Sequence, residues 1–273
     1  MEPQSMSNSQ PVVSIIIPTV NEAGKTVQCL RSIRACTATP HEIIWVDNGS
    51  SPKQFAEIKR QATRPNVQCK LIHNSRNLGF VKAVNQGIAE AKGDYVILLN
   101  NDTEVTDNWE KKLIKPLKVN PKVGAVGPVT QSRIAWQEAN NLNMRWNLSL
   151  PATHNDINLY NKQLEQCFQD KYIDIGSLPL SFFCAAFRRE TFKKIGGLCE
   201  EFSIGLGDDD EYSMRLRAYG YRLMISLGTF VYHHHRSTFK SLHLGVDSLR
   251  RHNIKVLRRK EQEFRSGKIV PLV

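Results

Sequence analysis

Three oxygen-bearing side chains follow a hydrophobic run near the middle of the chain. The run is Tyr95–Leu99, and the next three residues are Asn100, Asn101 and Asp102. Hard divalent cations such as Mg²⁺ and Mn²⁺ take oxygen ligands, often one or two carboxylates together with substrate phosphates. The stretch therefore suits a cation site, although Asp102 is equally placed to cap a following helix.

Four consecutive carboxylates, Asp208, Asp209, Asp210 and Glu211, form a second group. Their mutual repulsion is eased at the positive end of a helix dipole, so the run is typical of a first helical turn. If one of them faces a cleft, its like-charged neighbours raise its proton affinity toward that of a general base. Both interpretations stay open from the residues alone.

Three histidines follow an apolar stretch near the end of the second half, at His233, His234 and His235. Imidazole binds Mn²⁺ as well as softer metals. Because side chains alternate faces along a strand, His233 and His235 share one side. Either one is a candidate metal ligand, and a structural histidine is the alternative.

Alternating strands and helices must position these groups. Predicted strands cover residues 12–17, 42–46, 67–72, 94–99 and 123–126, and helices lie between them. Four successive strands end in polar loops, where parallel sheets bind ligands near a switch in strand order. Pro18, Thr19 and Asp47 stand at such ends, although turns use the same residue types. The sequence thus predicts an α/β fold with a mostly parallel, Rossmann-like central sheet flanked by helices.

The second half of the chain lacks the regular alternation of strands and helices. Residues 132–172 are rich in Asn and Gln, and we interpret them as an irregular insertion or lid beside the site. Strands are predicted at residues 181–187, 222–225 and 229–233, with helices at 188–197 and from Asp208. Residues 246–268 carry eight Lys or Arg among regularly spaced apolar residues, which predicts a basic amphipathic helix.

Composition limits the class of protein. The chain has 273 residues and 41% hydrophobic content, which suits one large α/β domain, or one domain with a small appendage. The charge of +11 favours an anionic partner, such as nucleotide phosphates, nucleic acid or an acidic membrane face. No cysteine pair has the C-x-x-C spacing of a zinc site. The polar first ten residues predict a disordered tail, and a cytoplasmic protein is the default expectation.

Six segments, taken in order, resemble the family 2 glycosyltransferases, which have the GT-A fold. They are VSIIIPTVNE, IIWVDNGSS, NLGFVKAVNQGIAEAKGDYVILLNNDTEV, GGLCEEF, GLGDDDEYSMRLRAYGYR and VYHHHRS. The resemblance covers roughly residues 12–240. It implies an inverting transferase that uses a nucleotide-diphosphate sugar and a divalent cation, Mn²⁺ or Mg²⁺.

The resemblance assigns roles position by position. The metal ligands it implies are Asp102 and His233, with His235 as a rival. Asn100 stands where the family's Asp-x-Asp motif has its first Asp. One carboxylate is therefore missing, and Asp102 would contribute more of the affinity for the cation. The residues implied to contact the donor are Pro18, Thr19, Asn21, Glu22, Asp47, Asn48, Asn77, Gly79, Asn85, Asn100 and Asn101.

The acidic helix departs from the family pattern, which is usually Glu-Asp-x-Asp a few residues before an Arg. Counting back from Arg215, Asp208 takes the Glu place, Asp209 the Asp place and Glu211 the second Asp place. Each substitution keeps a carboxylate. We therefore predict Asp209 as the general base, with Asp208 as its rival.

The resemblance also implies an organisation and partners. Residues 11–245 would form the GT-A domain, with a nucleotide-binding half at 11–130 and an acceptor-side half at 131–245, followed by the basic helix at 246–273. The expected donor is a UDP- or dTDP-sugar, and the acceptor is a glycan, a lipid-linked glycan or a peptide. Peripheral contact with an anionic inner membrane face is left open. The rival hypotheses are a weak sugar-nucleotide binder and a nucleic-acid-binding module, although no nucleic acid is expected.

Overall fold

A computed structural model describes residues 12–62, 68–132, 135–149, 156–202, 205–234 and 246–267. The predicted tail at residues 1–10 and His235 lie outside the described residues. The strands are β1 Val13–Thr19, β2 His41–Asn48, β3 Cys69–Asn74, β4 Tyr95–Leu99, β5 Thr103–Val105, β6 Val123–Val129, β7 Tyr172–Asp174, β8 Cys184–Arg188 and β9 Arg222–His233.

Helices flank this sheet and connect its strands. They are α1 Ala23–Cys36, α2 Pro52–Ala62, α3 Phe80–Glu90, α4 Trp109–Val119, α5 Ala139–Trp146, α6 Ile157–Phe168, α7 Arg189–Ile195, α8 Asp208–Ala218 and α9 Val246–Arg265. A short 3₁₀ helix covers Glu200–Phe202. The predicted α/β architecture is confirmed.

The first half of the sheet is parallel, in the order β3-β2-β1-β4. Strand β1 is buried along its whole length and rich in β-branched residues, as a strand covered on both faces must be. Its side chains alternate between two cores, with Ile16 in one and Ile15 and Ile17 in the other. Because the chain passes from β1 to β2 on one side and β4 joins on the other, the strand order switches at β1.

The second half of the sheet is mixed. Strand β8 runs antiparallel to both β4 and β6, while β9 is parallel to β6 and antiparallel to β5 and β7. Strand β5 is a three-residue element that the sequence pattern does not reveal. Strand β9 is continuous where two strands were predicted, and a register shift against β6 lies between Pro128 and Val129.

The predicted irregular insertion at 132–172 includes two helices and strand β7. The side chain of Glu138 caps α5 by accepting from the Asn141 amide, and Asp156 caps α6. Helix α6 packs against β9, and the Asn161 side chain accepts a hydrogen bond from the Phe230 amide at 3.1 Å. Polar residues here serve as caps and strand contacts, which explains why composition alone suggested a loop.

Helix α9 packs against α8 and the 3₁₀ helix. Its inner face buries Asn253 and Val256. Arg259 and Lys260 form ion pairs with Glu201 of the 3₁₀ helix. Among the described residues, no helix combines the length and apolar character needed to cross a bilayer.

Candidate active site

A cavity of about 500 Å³ opens where β1 and β4 end, in the size range of small-molecule sites. Its wall combines strand-end residues with the first turn of α8. The predicted site residues that line it are Pro18, Thr19, Asn48, Asn77, Asn100, Asn101, Asp102, Asp208, Asp209 and His233.

Asp102 and His233 form a fixed pair on this wall. The Asp102 Oδ1 atom lies 3.1 Å from His233 Nε2. Strand β5, which begins directly after Asp102, pairs with β9 so that Thr103 stands opposite His233. The Phe183 ring stacks on the imidazole with centroids 4.9 Å apart and planes 8° apart. Backbone pairing and ring stacking therefore hold both side chains in place.

This pair fits a hard divalent cation that shares its coordination with a substrate. Asp102 offers a carboxylate oxygen and His233 an imidazole nitrogen, both suitable for Mn²⁺. Within the described ranges, no group of three or more His, Cys, Asp or Glu is arranged to hold a metal. Mg²⁺ and related ions commonly keep waters and bind through one or two protein ligands plus phosphates. The donor set therefore suits a cation completed by a diphosphate.

The two asparagines before Asp102 differ in their contacts. The Asn101 amide nitrogen donates to Thr26 Oγ1 at 2.9 Å, which ties this loop to α1. The Asn100 backbone amide donates to the Phe183 carbonyl at 2.8 Å. Asn100, in the place of the missing carboxylate, is the more exposed of the two. These two hydrogen bonds anchor the loop to α1 and to the backbone at Phe183.

The acidic helix begins after a sharply turned loop. Gly205, Leu206 and Gly207 have φ values of 99°, 71° and 111°, all in the left-handed region. Glycine accepts this conformation freely, whereas Leu206 adopts it at a cost in free energy. The turn directs Asp208, Asp209 and Asp210 of α8 toward the cavity wall.

Burial and mutual repulsion change the acidity of these carboxyls. Burial, and then the neighbouring charges of Asp208 and Asp210, raise the pKa of Asp209 well above its ordinary value. Burial raises the pKa of Asp208 to about 6. Glu211 is sequestered in a buried ion pair, with its Oε2 2.6 Å from the Arg215 guanidinium. Burial also raises the pKa of Asp210, so the three aspartates of this run share the raised proton affinity that a general base needs.

We expect Asp208→Asn to stabilise the fold at neutral pH. The folded-state pKa of about 6 exceeds the usual unfolded value of about 3.9, so the wild type loses stability as the pH rises between these values. The variant, which mimics the protonated acid, should exceed wild type by on the order of 1 kcal/mol above pH 6. Thermal unfolding from pH 3.5 to 8 measures this difference, and a constant difference across that range would contradict it.

Two strand-end oxygens are available at the ends of β1 and β2. Thr19 and Asp47 are paired in register, and both are buried. Within the described chain, Thr19 Oγ1 and Asp47 Oδ1 are buried without a hydrogen-bond partner. The other Asp47 oxygen lies 2.9 Å from His73 Nδ1. Asp47 does not line the cavity, whereas its neighbour Asn48 does.

Four other predicted donor contacts lie off the cavity wall, at Asn21, Glu22, Gly79 and Asn85. The Asn85 amide exchanges hydrogen bonds with the Leu198 backbone, donating at 2.9 Å and accepting at 2.8 Å. Asn21 Oδ1 accepts from the Ser51 amide. Glu22 directly precedes α1, and the Gly79 carbonyl accepts from the Asn48 side chain. In this geometry these residues support the loops around the site, and their predicted donor contacts gain no support.

Sequence reasoning missed several residues of the wall. Asn253, Ile254 and Leu257 reach the cavity from α9. The amphipathic pattern of α9 indicated that one of its faces packs against the domain. The pattern did not indicate which elements that face contacts. Trp136, from the segment interpreted as a lid, does line the cavity.

Comparison with known families identifies the family of this chain. The model described as Glycosyl transferase family 2 matches residues 14–196. The chain belongs to this family. The resemblance drawn from the sequence motifs is therefore confirmed.

Two curated relatives show how family 2 domains occur in longer proteins. The chain is 28% identical over 229 residues to the O-antigen biosynthesis protein RfbC of Myxococcus xanthus, covering 82% of this chain and 17% of the relative. It is 25% identical over 240 residues to the chondroitin synthase of Pasteurella multocida, covering 81% and 24%. The chain thus spans less than a quarter of the length of these relatives.

Two solved structures share the fold of this family 2 chain. One is the mannosyltransferase PcManGT of Pyrobaculum calidifontis in complex with GDP-Man and Mn²⁺, with a TM-score of 0.60 and 20% identity over 84% of this chain and 59% of that one. The other is GalNAc-T7 with UDP, GalNAc and Mn²⁺, with a TM-score of 0.64 and 18% identity over 83% and 44%. The GT-A fold prediction is confirmed.

Proposed function

We propose that this chain is a glycosyltransferase that moves a sugar from a nucleotide-diphosphate sugar to an acceptor hydroxyl with inversion. One observation carries the proposal. A single cavity brings together the Asp102–His233 pair from the sheet and the raised-pKa carboxyls Asp208 and Asp209 from α8. A donor site beside a general base is what a single displacement requires.

The donor would lie along the ends of β1, β2 and β4. Thr19 lines the cavity, and its Oγ1, which has no hydrogen-bond partner among the described residues, is suited to a hydrogen bond with a base or ribose. Asp102 and His233 would hold a divalent cation, Mn²⁺ or Mg²⁺, next to the diphosphate. When bound, such a cation supplies charge stabilisation for the leaving diphosphate. The two structural neighbours, one with GDP-Man and one with UDP, and both with Mn²⁺, support this class of donor.

Asp209 would remove the proton from the acceptor hydroxyl. The acceptor oxygen attacks the anomeric carbon from the face opposite the diphosphate. The bond from the anomeric carbon to the diphosphate oxygen breaks as the new glycosidic bond forms. One displacement inverts the configuration. Asp209 is half-buried, whereas Asp208 is 4% exposed, which favours Asp209 as the base and leaves Asp208 to raise its pKa.

The choice of substrates belongs to the same proposal. We favour a UDP- or dTDP-sugar as donor and a glycan, lipid-linked glycan or peptide as acceptor. Relatives named for O-antigen biosynthesis and chondroitin synthesis support a role in polysaccharide or glycoconjugate assembly. The exposed Arg251, Lys255 and Arg258 of α9 are consistent with contact to an anionic membrane.

A thermal-shift panel of nucleotide sugars tests the proposal. UDP-, dTDP- and GDP-sugars are added to the intact chain with and without Mn²⁺. A ligand at 100 times its Kd adds about 2.7 kcal/mol of stability, so one donor class should raise the melting temperature in the presence of the cation. If no nucleotide sugar raises it under either condition, the proposal is wrong.

A catalytically weak sugar-nucleotide binder is the second candidate, because Asn100 replaces a carboxylate next to the cation pair. Hydrolysis of the stabilising donor distinguishes the two functions. Slow release of free sugar in the presence of Mn²⁺ indicates a transferase using water as acceptor. Binding without any hydrolysis or transfer favours the binder.

A further inference from the structure

Asn253 connects α9 to the loop that precedes the proposed base. Its side chain is 3% exposed, and its Nδ2 atom donates to the carbonyl oxygens of Gly205 at 2.7 Å and Leu206 at 2.9 Å. Two carbonyls require a donor, so the orientation of this amide is fixed by its partners. These two bonds use the amide nitrogen and leave the amide oxygen Oδ1 unused by the loop.

That oxygen has no hydrogen-bond partner in the part of the chain that the structure describes, although it is buried. Buried acceptors are nearly always satisfied, so this one points to a ligand that donates a hydrogen bond. Asn253 lines the cavity together with Ile254 and Leu257 of the same helix. Ile254 keeps 42% of its surface exposed, so its side chain is accessible to a ligand in the cavity.

The position of Asn253 indicates which substrate it meets. Its two carbonyl partners belong to the loop that leads directly into Asp208 and Asp209. The proposed donor contacts instead come from the strand ends and the Asp102–His233 pair. A hydroxyl bound at Asn253 therefore lies on the base side of the cavity, where the acceptor must be.

We propose that α9 forms an acceptor subsite for a saccharide. Asn253 Oδ1 accepts a hydrogen bond from a ring hydroxyl, while Ile254 and Leu257 pack against the C–H face of the pyranose. A saccharide presents both kinds of surface at once, which matches one polar atom flanked by two aliphatic side chains. This inference rests on the proposed transferase function.

Saturation-transfer NMR with methyl pyranosides tests the subsite. Methyl gluco-, galacto-, manno- and rhamnopyranosides are titrated into the intact chain with Mg²⁺ and UDP, dTDP or GDP. At least one glycoside should bind wild type. Asn253→Ala should weaken it about 3- to 10-fold, as expected for one hydrogen bond. Ile254→Ser should weaken it about 2- to 5-fold.

Lys255→Ser is the matched control, because Lys255 is exposed and neighbours Ile254 but does not line the cavity. It should leave glycoside affinity unchanged. Nucleotide affinity should be the same in every variant, which shows that each is folded. Since Ile254 is exposed, its variant remains informative even if Asn253→Ala does not fold.

Two results would overturn the inference while leaving the proposed function intact. One is nucleotide binding by wild type without binding of any pyranoside, which excludes a saccharide subsite. The other is glycoside affinity that changes in neither Asn253→Ala nor Ile254→Ser, which places the subsite elsewhere. If the wild type binds no nucleotide, the proposed function is contradicted. The inferred acceptor subsite, which rests on that function, is then contradicted as well.

Discussion

Asp209→Asn should lower the rate of sugar transfer by about 10²–10⁴-fold, the range typical of general acid–base catalysis. The amide keeps the shape of the side chain but cannot take the acceptor's proton. Because the carboxylate is destabilised by burial and by Asp208 and Asp210, its removal should not unfold the chain. Initial rates with saturating donor and cation measure the effect.

Asp210→Asn is the matched control for this change, since it removes the same charge one residue further along α8. It should keep most of the activity and move the acidic limb of the pH–rate profile to lower pH, because the Asp210 charge helps to raise the pKa of Asp209. A wild-type rate for Asp209→Asn, together with an inactive Asp208→Asn, would assign the base to Asp208 instead.

Asp102→Asn should remove most of the cation-dependent binding of the donor. The change takes away the carboxylate nearest His233 and leaves no second one, because Asn100 already replaces the other position of the motif. Loss of a supporting residue around a metal commonly costs 10- to 100-fold in affinity, so loss of a ligand should cost at least about 100-fold. Calorimetric titration of Mn²⁺ in the presence of nucleotide diphosphate measures it.

Asp107→Asn provides the control for Asp102, because Asp107 is an exposed carboxylate five residues further along the same segment. Its cation affinity should equal that of wild type. If Asp102→Asn binds Mn²⁺ as tightly as Asp107→Asn, Asp102 is not a ligand.

The sequence predicted the parallel half of the fold because its strands are short apolar runs that end in polar loops. Strand β1 and its partners follow that rule closely. It could not reveal β5, whose three residues have no periodicity of their own and are fixed by pairing with β9. Helices α5 and α6 were not predicted because their segment is rich in Asn and Gln. Glu138 and Asp156, which cap the two helices, were the signals in the sequence that could have revealed them.

Site residues that stand at strand ends or in a run of carboxylates were predictable from the sequence. Those whose position depends on tertiary packing were not. The strand-end position of Asp102 and the carboxylate run at Asp209 were visible in the sequence, and the structure brings both to one cavity. The role of Asn85 was not visible, because its partner Leu198 is distant in sequence. Asn253 was hidden for the same reason, since only packing brings α9 to the loop before α8.

A crystal structure of the intact chain with Mn²⁺ and the nucleotide diphosphate selected by the donor panel tests the central claim most directly. We predict an anomalous manganese peak at coordination distance from Asp102 and the diphosphate, with the Asp209 carboxylate facing the same cavity. A nucleotide bound elsewhere, or an Asp209 side chain turned away from the bound diphosphate, would contradict this account.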